Sequence, residues 1–201
     1  TKSSAASDVY KRQNPDQPIA EVNLLSGEMW HQQIVTFNNT AAFYPRTQTV
    51  VALFEAQVAQ SRETVAHETI ALYFHNEAIS YSTLNARANQ MAHYLQQKGI
   101  GPNQHIGVFL QRSPDAVIAI FGILKSGGAY VPIDPAYPSD RLAFMLEDAQ
   151  MSLIITDQHL RDRLPVKNTA EVITIDADWH AISTYPKTNP PLAATKDDLA
   201  Y

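Results

Sequence analysis

"LKSGGAYVPIDPAYPSDR", Leu124 to Arg141, is the stretch whose reading decides the fold. A helix ending ahead of its glycines puts Lys125 in the last turn, where a cation suits the helix dipole. Gly127 and Gly128 release the backbone from that helix. Ala129-Tyr130-Val131 then forms a short strand, which Pro132, lacking an N–H, ends or keeps at an edge. Asp134-Pro135 makes a turn, and Pro138 or Ser139 opens another helix. The stretch reads as the joint of an α/β unit, built for scaffold rather than chemistry.

The same grammar extends in both directions. Ser113 caps the helix before the joint, with Pro114 and Asp115 in its first turn. That helix is apolar on most sides (Val117, Ile118, Ile120, Phe121, Ile123, Leu124) and should be buried. Gln104 to Leu110 is a strand. Gly99 ends an earlier helix in the left-handed position; its apolar face is Leu84, Ala88, Met91, Ala92 and Leu95, and Ser82 can cap it. Thr69 to Phe74 and Ile79 to Tyr81 suggest a hairpin about "HNEA". Val50, Leu53, Phe54 and Val58 mark one face of a preceding helix. Downstream, Leu142, Met145, Leu146 and Ala149 point inward from a helix, and Ser152 to Thr156 and Val172 to Ile175 are strands. The class is α/β, a mostly parallel sheet flanked by helices. Residues 14–45 read as a linker with one short helix, capped by Ser26 and carrying Trp30, Ile34 and Phe37. Asn38-Asn39-Thr40 has the form of a glycosylation acceptor but reads as a turn.

Composition narrows the function classes. The chain has 201 residues, 45% of them apolar and 17% charged, so it can build a packed core. Its net charge of -5 and lack of a basic stripe argue against a nucleic-acid surface. With no cysteine there is neither a disulfide framework nor a thiolate metal site. No apolar run is long enough to span a bilayer and no signal-peptide pattern opens the chain, so a soluble, cytoplasmic protein is expected.

The residues themselves offer no catalytic constellation. Seven histidines are scattered. His67-Glu68 begins like a zinc-protease helix, but Ala71 stands where the second histidine belongs. Gly99-Ile100-Gly101 hints at a dinucleotide loop, yet Gln104 replaces its third glycine and a helix precedes it. Glu147-Asp148 and Asp197-Asp198 could bind Mg²⁺, although such adjacent pairs are more often solvated. Lys125 reads as a helix-terminal cation rather than an anion contact, and Tyr130 as a core-edge aromatic with a wet hydroxyl.

These segments resemble the adenylation domain of nonribosomal peptide synthetases, a branch of the adenylate-forming, AMP-binding superfamily. "LKSGGAYVPID" is similar to the family's second core motif, with Ser126 where alanine is usual. "ISYSTLNARAN", from Ile79, is similar to the first, with Ile79 for leucine and Thr83 for glutamate. "LLSGEMWHQQIVTFNNTAAFYP", Leu24 to Pro45, resembles the linker joining a condensation domain to the adenylation domain. "LAY", Leu199 to Tyr201, resembles the start of the third core motif, which leads into a Ser/Thr/Gly-rich phosphate loop with a lysine.

The resemblance implies an enzyme parent. An amino-acid carboxylate attacks the α-phosphate of Mg-ATP, and the aminoacyl group then passes to the phosphopantetheine of a carrier domain. Its partners are the upstream condensation domain, the rest of the adenylation domain, the carrier domain and the amino acid; neither nucleic acid nor membrane is expected. The family's catalytic, cofactor-binding and metal positions would follow Tyr201, so this piece is expected to be inactive, with no cofactor or metal of its own. Tyr81, Leu84, Leu124, Lys125, Gly127, Tyr130, Pro132 and Asp134 match motif positions and are read as structural.

Three domain segments follow. Residues 1–13 are set apart, because Ser3 to Gln13 resembles the in-frame translation of a sequencing-library adapter. Residues 14–45 are the linker, and residues 46–201 an incomplete N-terminal portion of the adenylation domain. Two alternatives remain: an acyl-CoA-ligase-like adenylating enzyme, which the linker disfavours, and a stand-alone docking module, which would require a native start and a native stop.

Overall fold

A computed structural model describes Pro18 and residues 25–43, 47–63, 69–165 and 170–201. The adapter-like stretch, Asn14 and His67-Glu68 lie outside those residues. The chain divides into two units, Thr1–Pro45 and Arg46–Tyr201.

In the first unit Ser26 caps a helical turn, α1 (Gly27–Trp30), its Oγ accepting from the Met29 N–H at 3.3 Å. The helix widens into a π-helical turn over His31–Thr36, closed where the Phe37 N–H donates to Gln32 O at 2.9 Å. Asn38 ends it by donating from Nδ2 to Ile34 O and Gln33 O. The Asn-Asn-Thr tripeptide is thus used locally, as a helix stop.

The second unit opens with α2 (Val50–Glu63), capped by Thr49, whose Oγ1 accepts from the Ala52 N–H at 3.1 Å. Its inward face is Val51, Phe54 and Val58, while Val50 and Leu53 are exposed, a rotation from the expected stripe. Strands β1 (Ile70–Phe74) and β2 (Glu77–Ser80) form an antiparallel hairpin with a bulge between Ile70 and Leu72. Helix α3 (Tyr81–Gln97) follows at once. Its cap is Ser80, accepting from the Thr83 N–H at 3.2 Å, and not Ser82, because β2 ends at Ser80 and leaves that residue extended. Gly99 ends the helix at φ 84°, and the Ile100 N–H reaches back to Leu95 O.

Strand β3 (His105–Phe109) leads into α4 (Pro114–Ser126), which starts at Ser113 and Pro114 and stops at Gly127 with φ 99°. Then come β4 (Ala129–Pro132), α5 (Ser139–Asp148), β5 (Leu153–Thr156), the short α6 (Gln158–Arg161), β6 (Glu171–Thr174) and the short α7 (Trp179–Ile182). The larger sheet is parallel throughout, in the order β4-β3-β5-β6, so the winding reverses at β3.

Side-chain alternation along the strands gives the sheet two buried faces. Ile106, Val108, Leu153 and Ile155 join Met91, Leu95, Ile118 and Ile123 of α3 and α4 on one side. Phe109 and Ile154 join Leu142 and Leu146 of α5 on the other. Close packing of α3 on α4 depends on Gly122: a Cβ there would sit 2.3 Å from Met91 Cγ.

Candidate functional site

Open parallel sheets bind ligands at the carboxyl ends of their strands, near the point where the winding reverses. A cleft of about 750 Å³ lies there, beyond β3 and β4. Val108, Leu110, Ile120 and Ile133 supply apolar wall, and Asp134, Tyr137, Arg112 and Arg163 supply its polar groups.

The Asp134-Pro135-Ala136-Tyr137 turn shapes the rim. Pro135 takes the position its fixed φ suits, and the Tyr137 N–H donates to Asp134 O at 3.1 Å. Asp134 Oδ1 accepts from the Ala136 N–H at 2.8 Å, so this carboxylate is engaged within its own turn. The Arg141 guanidinium lies 4.3 Å from the centre of the Tyr137 ring. Arg112 and Arg163 are exposed and have no ion-pair partner among the described residues. No sequence motif marks either one, although Arg112 stands directly between the end of β3 and the capped start of α4. The cleft can attract an anion; it presents neither a nucleophile–base pair nor a metal set.

The motif residues do not converge on this cleft; only Pro132 and Asp134 line it. Leu84 is buried in the α3 core, and the Tyr81 ring lies 6.1 Å from that of Phe54. Leu124 sits beside the start of α2 and the last residues of the chain. Gly127 is the left-handed stop of α4. The Tyr130 N–H donates to Ala200 O at 3.0 Å, and its ring lies 5.8 Å from that of Tyr201.

Lys125 occupies the last turn of α4, as its position suggests, but it is fully buried and paired with Glu55 of α2, and its ammonium lies 5.7 Å from the Phe54 ring centre. Burial pushes its pKa below the ordinary lysine range, and Glu55 opposes that shift.

The acidic pairs have local roles. Asp198 Oδ2 accepts from the Thr195 N–H and hydroxyl, both at 2.8 Å, which holds its carboxyl below the usual range. Asp197 pairs with Lys196, and Glu147 and Asp148 are exposed. Among the described residues no group of three or more His, Cys, Asp or Glu could hold a metal ion, and no helix is long and apolar enough to cross a membrane.

The model of the family described as AMP-binding enzyme matches residues 54–201. Gramicidin S synthase 2 of Brevibacillus brevis is 38% identical over 194 residues, 94% of this chain and 4% of that protein. Chondramide synthase cmdD of Chondromyces crocatus is 40% identical over 191 residues, 94% of this chain and 5% of that protein. Among solved structures, the nonribosomal peptide synthetase FmoA3 in its alpha-methyl-L-serine-AMP bound form superposes with a TM-score of 0.72 at 27% identity, covering 96% of this chain and 22% of that one. The chain spans 5% or less of the length of these curated relatives.

Proposed function

Because the chain belongs to the AMP-binding enzyme family, we propose that it is part of the adenylation domain of a nonribosomal peptide synthetase, with the linker that enters that domain. The parent activates an amino acid with ATP and passes the aminoacyl group to a phosphopantetheine-bearing carrier domain. The supporting observation is that similarity to such synthetases covers 94% of the chain, more than the family-matched residues alone. A condensation domain upstream and a carrier domain downstream are the expected neighbours, and the cytoplasm the expected location.

We place the groups that would hold ATP, Mg²⁺ and phosphopantetheine in the parent outside the described residues. Those residues contain no three-residue metal cluster, and the two unpaired arginines of the cleft are not accompanied by a glycine-rich loop with a lysine. No catalytic step is therefore assigned to a residue of this piece. We read Tyr81, Leu84, Leu124, Lys125, Gly127, Tyr130, Pro132 and Asp134 as scaffold.

The test is to sequence the source DNA across both ends of the reading frame, express the uninterrupted product, and measure amino-acid-dependent exchange of pyrophosphate into ATP. Exchange with one or a few amino acids supports the proposal. A product that instead joins a carboxylic acid to coenzyme A, or a frame that stops at Tyr201, overturns it.

A further inference from the structure

We propose that a row of amides on α3 (Asn85, Asn89 and Gln90), together with Asn189, positions the end of the chain against β4 by gripping the segment 183–190 through its backbone. Gln90 Nε2 donates to Ser183 O at 2.5 Å and to Tyr185 O at 3.3 Å. Asn89 Nδ2 donates to Lys187 O at 2.7 Å and to Asn189 Oδ1 at 2.9 Å. Asn85 Nδ2 donates to the same Asn189 oxygen at 2.9 Å, and His93 Nε2 lies 3.0 Å from Thr188 O one turn further along. Ser183 and Tyr185 lie in the turn that closes α7, where the Ser183 N–H donates to Trp179 O and the Tyr185 N–H to Ile182 O, so the row holds that turn as well as the stretch that follows it.

The three helix amides are buried, although their positions on α3 could hold apolar side chains. Asn85 Oδ1 and Asn89 Oδ1 are buried without a protein hydrogen-bond partner. Buried polar groups ordinarily find partners, so these amides are oriented by what they donate to. Turning either one over would set its oxygen against Asn189 Oδ1, and for Asn89 against Lys187 O as well.

From the end of the gripped segment to β4 the chain touches the fold at several points. Pro190 is buried, and a Cβ on Gly127 would meet Ala193 Cβ at 2.9 Å. The Leu199 N–H donates to Asn103 Oδ1 at 3.2 Å, and the Tyr130 N–H to Ala200 O. That last contact answers a specific vacancy in the ladder. The Ala129 N–H is spent on Gln104 O, and Pro132 has no N–H, so Tyr130 is the outward donor of β4. The inference rests on the adenylation reading only in giving residues 199–201 importance, as the lead into the family's phosphate loop; the grip itself stands on this chain's geometry.

Hydrogen exchange on the 201-residue chain, resolved to individual amides by NMR, tests it. Asn189 is exposed, so Asn189→Ala should leave the fold intact while removing the acceptor shared by Asn85 and Asn89. Exchange of the Tyr130 and Leu199 amides should rise about tenfold, the scale of one lost buried hydrogen bond, with β3 and β5 amides unchanged. Gln90→Ala should give the same pattern, and Ile118→Val, a core change of similar cost, should not. Tyr130 and Leu199 protected as in the unaltered chain, or a uniform rise across the sheet, overturns the proposal.

Discussion

Replacing Glu55 by glutamine is the sharpest test of how α2 is held to α4. Lys125 has no exposed side-chain surface, while 19% of the Glu55 side chain is exposed. Removing one member of a fully buried pair costs ~3–5 kcal/mol, because the other charge is left without compensation. Glu55 is partly wet, and that access lets solvent screen part of the interaction. The expectation for Glu55→Gln is therefore ~2–3 kcal/mol. With a urea slope of about 2 kcal/mol/M, the unfolding midpoint falls by ~1–1.5 M.

Lys125→Met removes the charge that needs a partner and keeps most of the apolar stem, so its cost should stay within about 1 kcal/mol. Adding it to Glu55→Gln should restore most of the lost stability. The pH dependence provides a second reading. The folded pKa of Lys125 lies below its unfolded value, so across that window the unfolded chain binds more protons and stability rises with pH. Glutamine removes the opposing carboxylate, deepens the depression and steepens this alkaline gain. Urea titrations at neutral and alkaline pH measure both effects. A Glu55→Gln cost below about 0.5 kcal/mol, a Lys125→Met cost equal to it, or a loss that grows as pH rises would refute the reasoning.

Substitutions at Gly122, Gly127 and Ser113, with controls, address the joints. Gly122→Ala drives a Cβ to 2.3 Å from Met91 Cγ and 2.7 Å from Met91 Cβ; overpacking should cost ~1–3 kcal/mol by urea denaturation. Gly127→Ala combines φ 99° with a contact at 2.9 Å to Ala193 and should cost at least ~1–2 kcal/mol. Gly101→Ala, with nothing within 4 Å, is its control, and equal losses would remove the left-handed strain from the account. Ser113→Ala should lose ~1 kcal/mol with the cap of α4, and Ser113→Asp should retain most of it.

The helix starts and stops are legible in the sequence because their signals are local. Ser113-Pro114-Asp115, Gly99 and the Gly127-Gly128 pair each act within one turn of where they stand. The cap of α3 falls two residues from its expected place because Ser80 and Ser82 offer the same chemistry; the hairpin register, in which Ser80 still pairs with Ile70, chooses between them. The inward face of α2 departs from expectation for a related reason: Val50, Val51, Leu53 and Phe54 are all apolar, and only tertiary packing selects among them. The partner of Lys125 is 70 residues away, and Asn189 is 104 residues from Asn85; no local pattern reports such pairings. Arg112 and Arg163 share a cleft only after β3 and the turn following α6 have been placed.

The polar groups of the described residues are used mainly to place backbone and to join elements. A catalytic side chain must keep a donor, an acceptor or a charge free for the substrate and aim it at a space the substrate can enter. Here several buried donors are committed elsewhere: Lys125 to Glu55, the Asn89 and Gln90 amide N–H groups to the 183–187 backbone, and the Thr156 hydroxyl to Phe109 O at 2.9 Å. The acids at the strand ends are committed too, since Asp157 caps α6, Asp176 accepts from the Gln158 N–H and Asp178 from that of Thr174. Each of these bonds fixes backbone or joins two elements. In the cleft, Arg112 and Arg163, which have no ion-pair partner among the described residues, face open space, and a guanidinium, which carries only donors, can attract an anion. Among the described residues, then, the buried polar groups supply placement, and the two arginines give the cleft a positive edge.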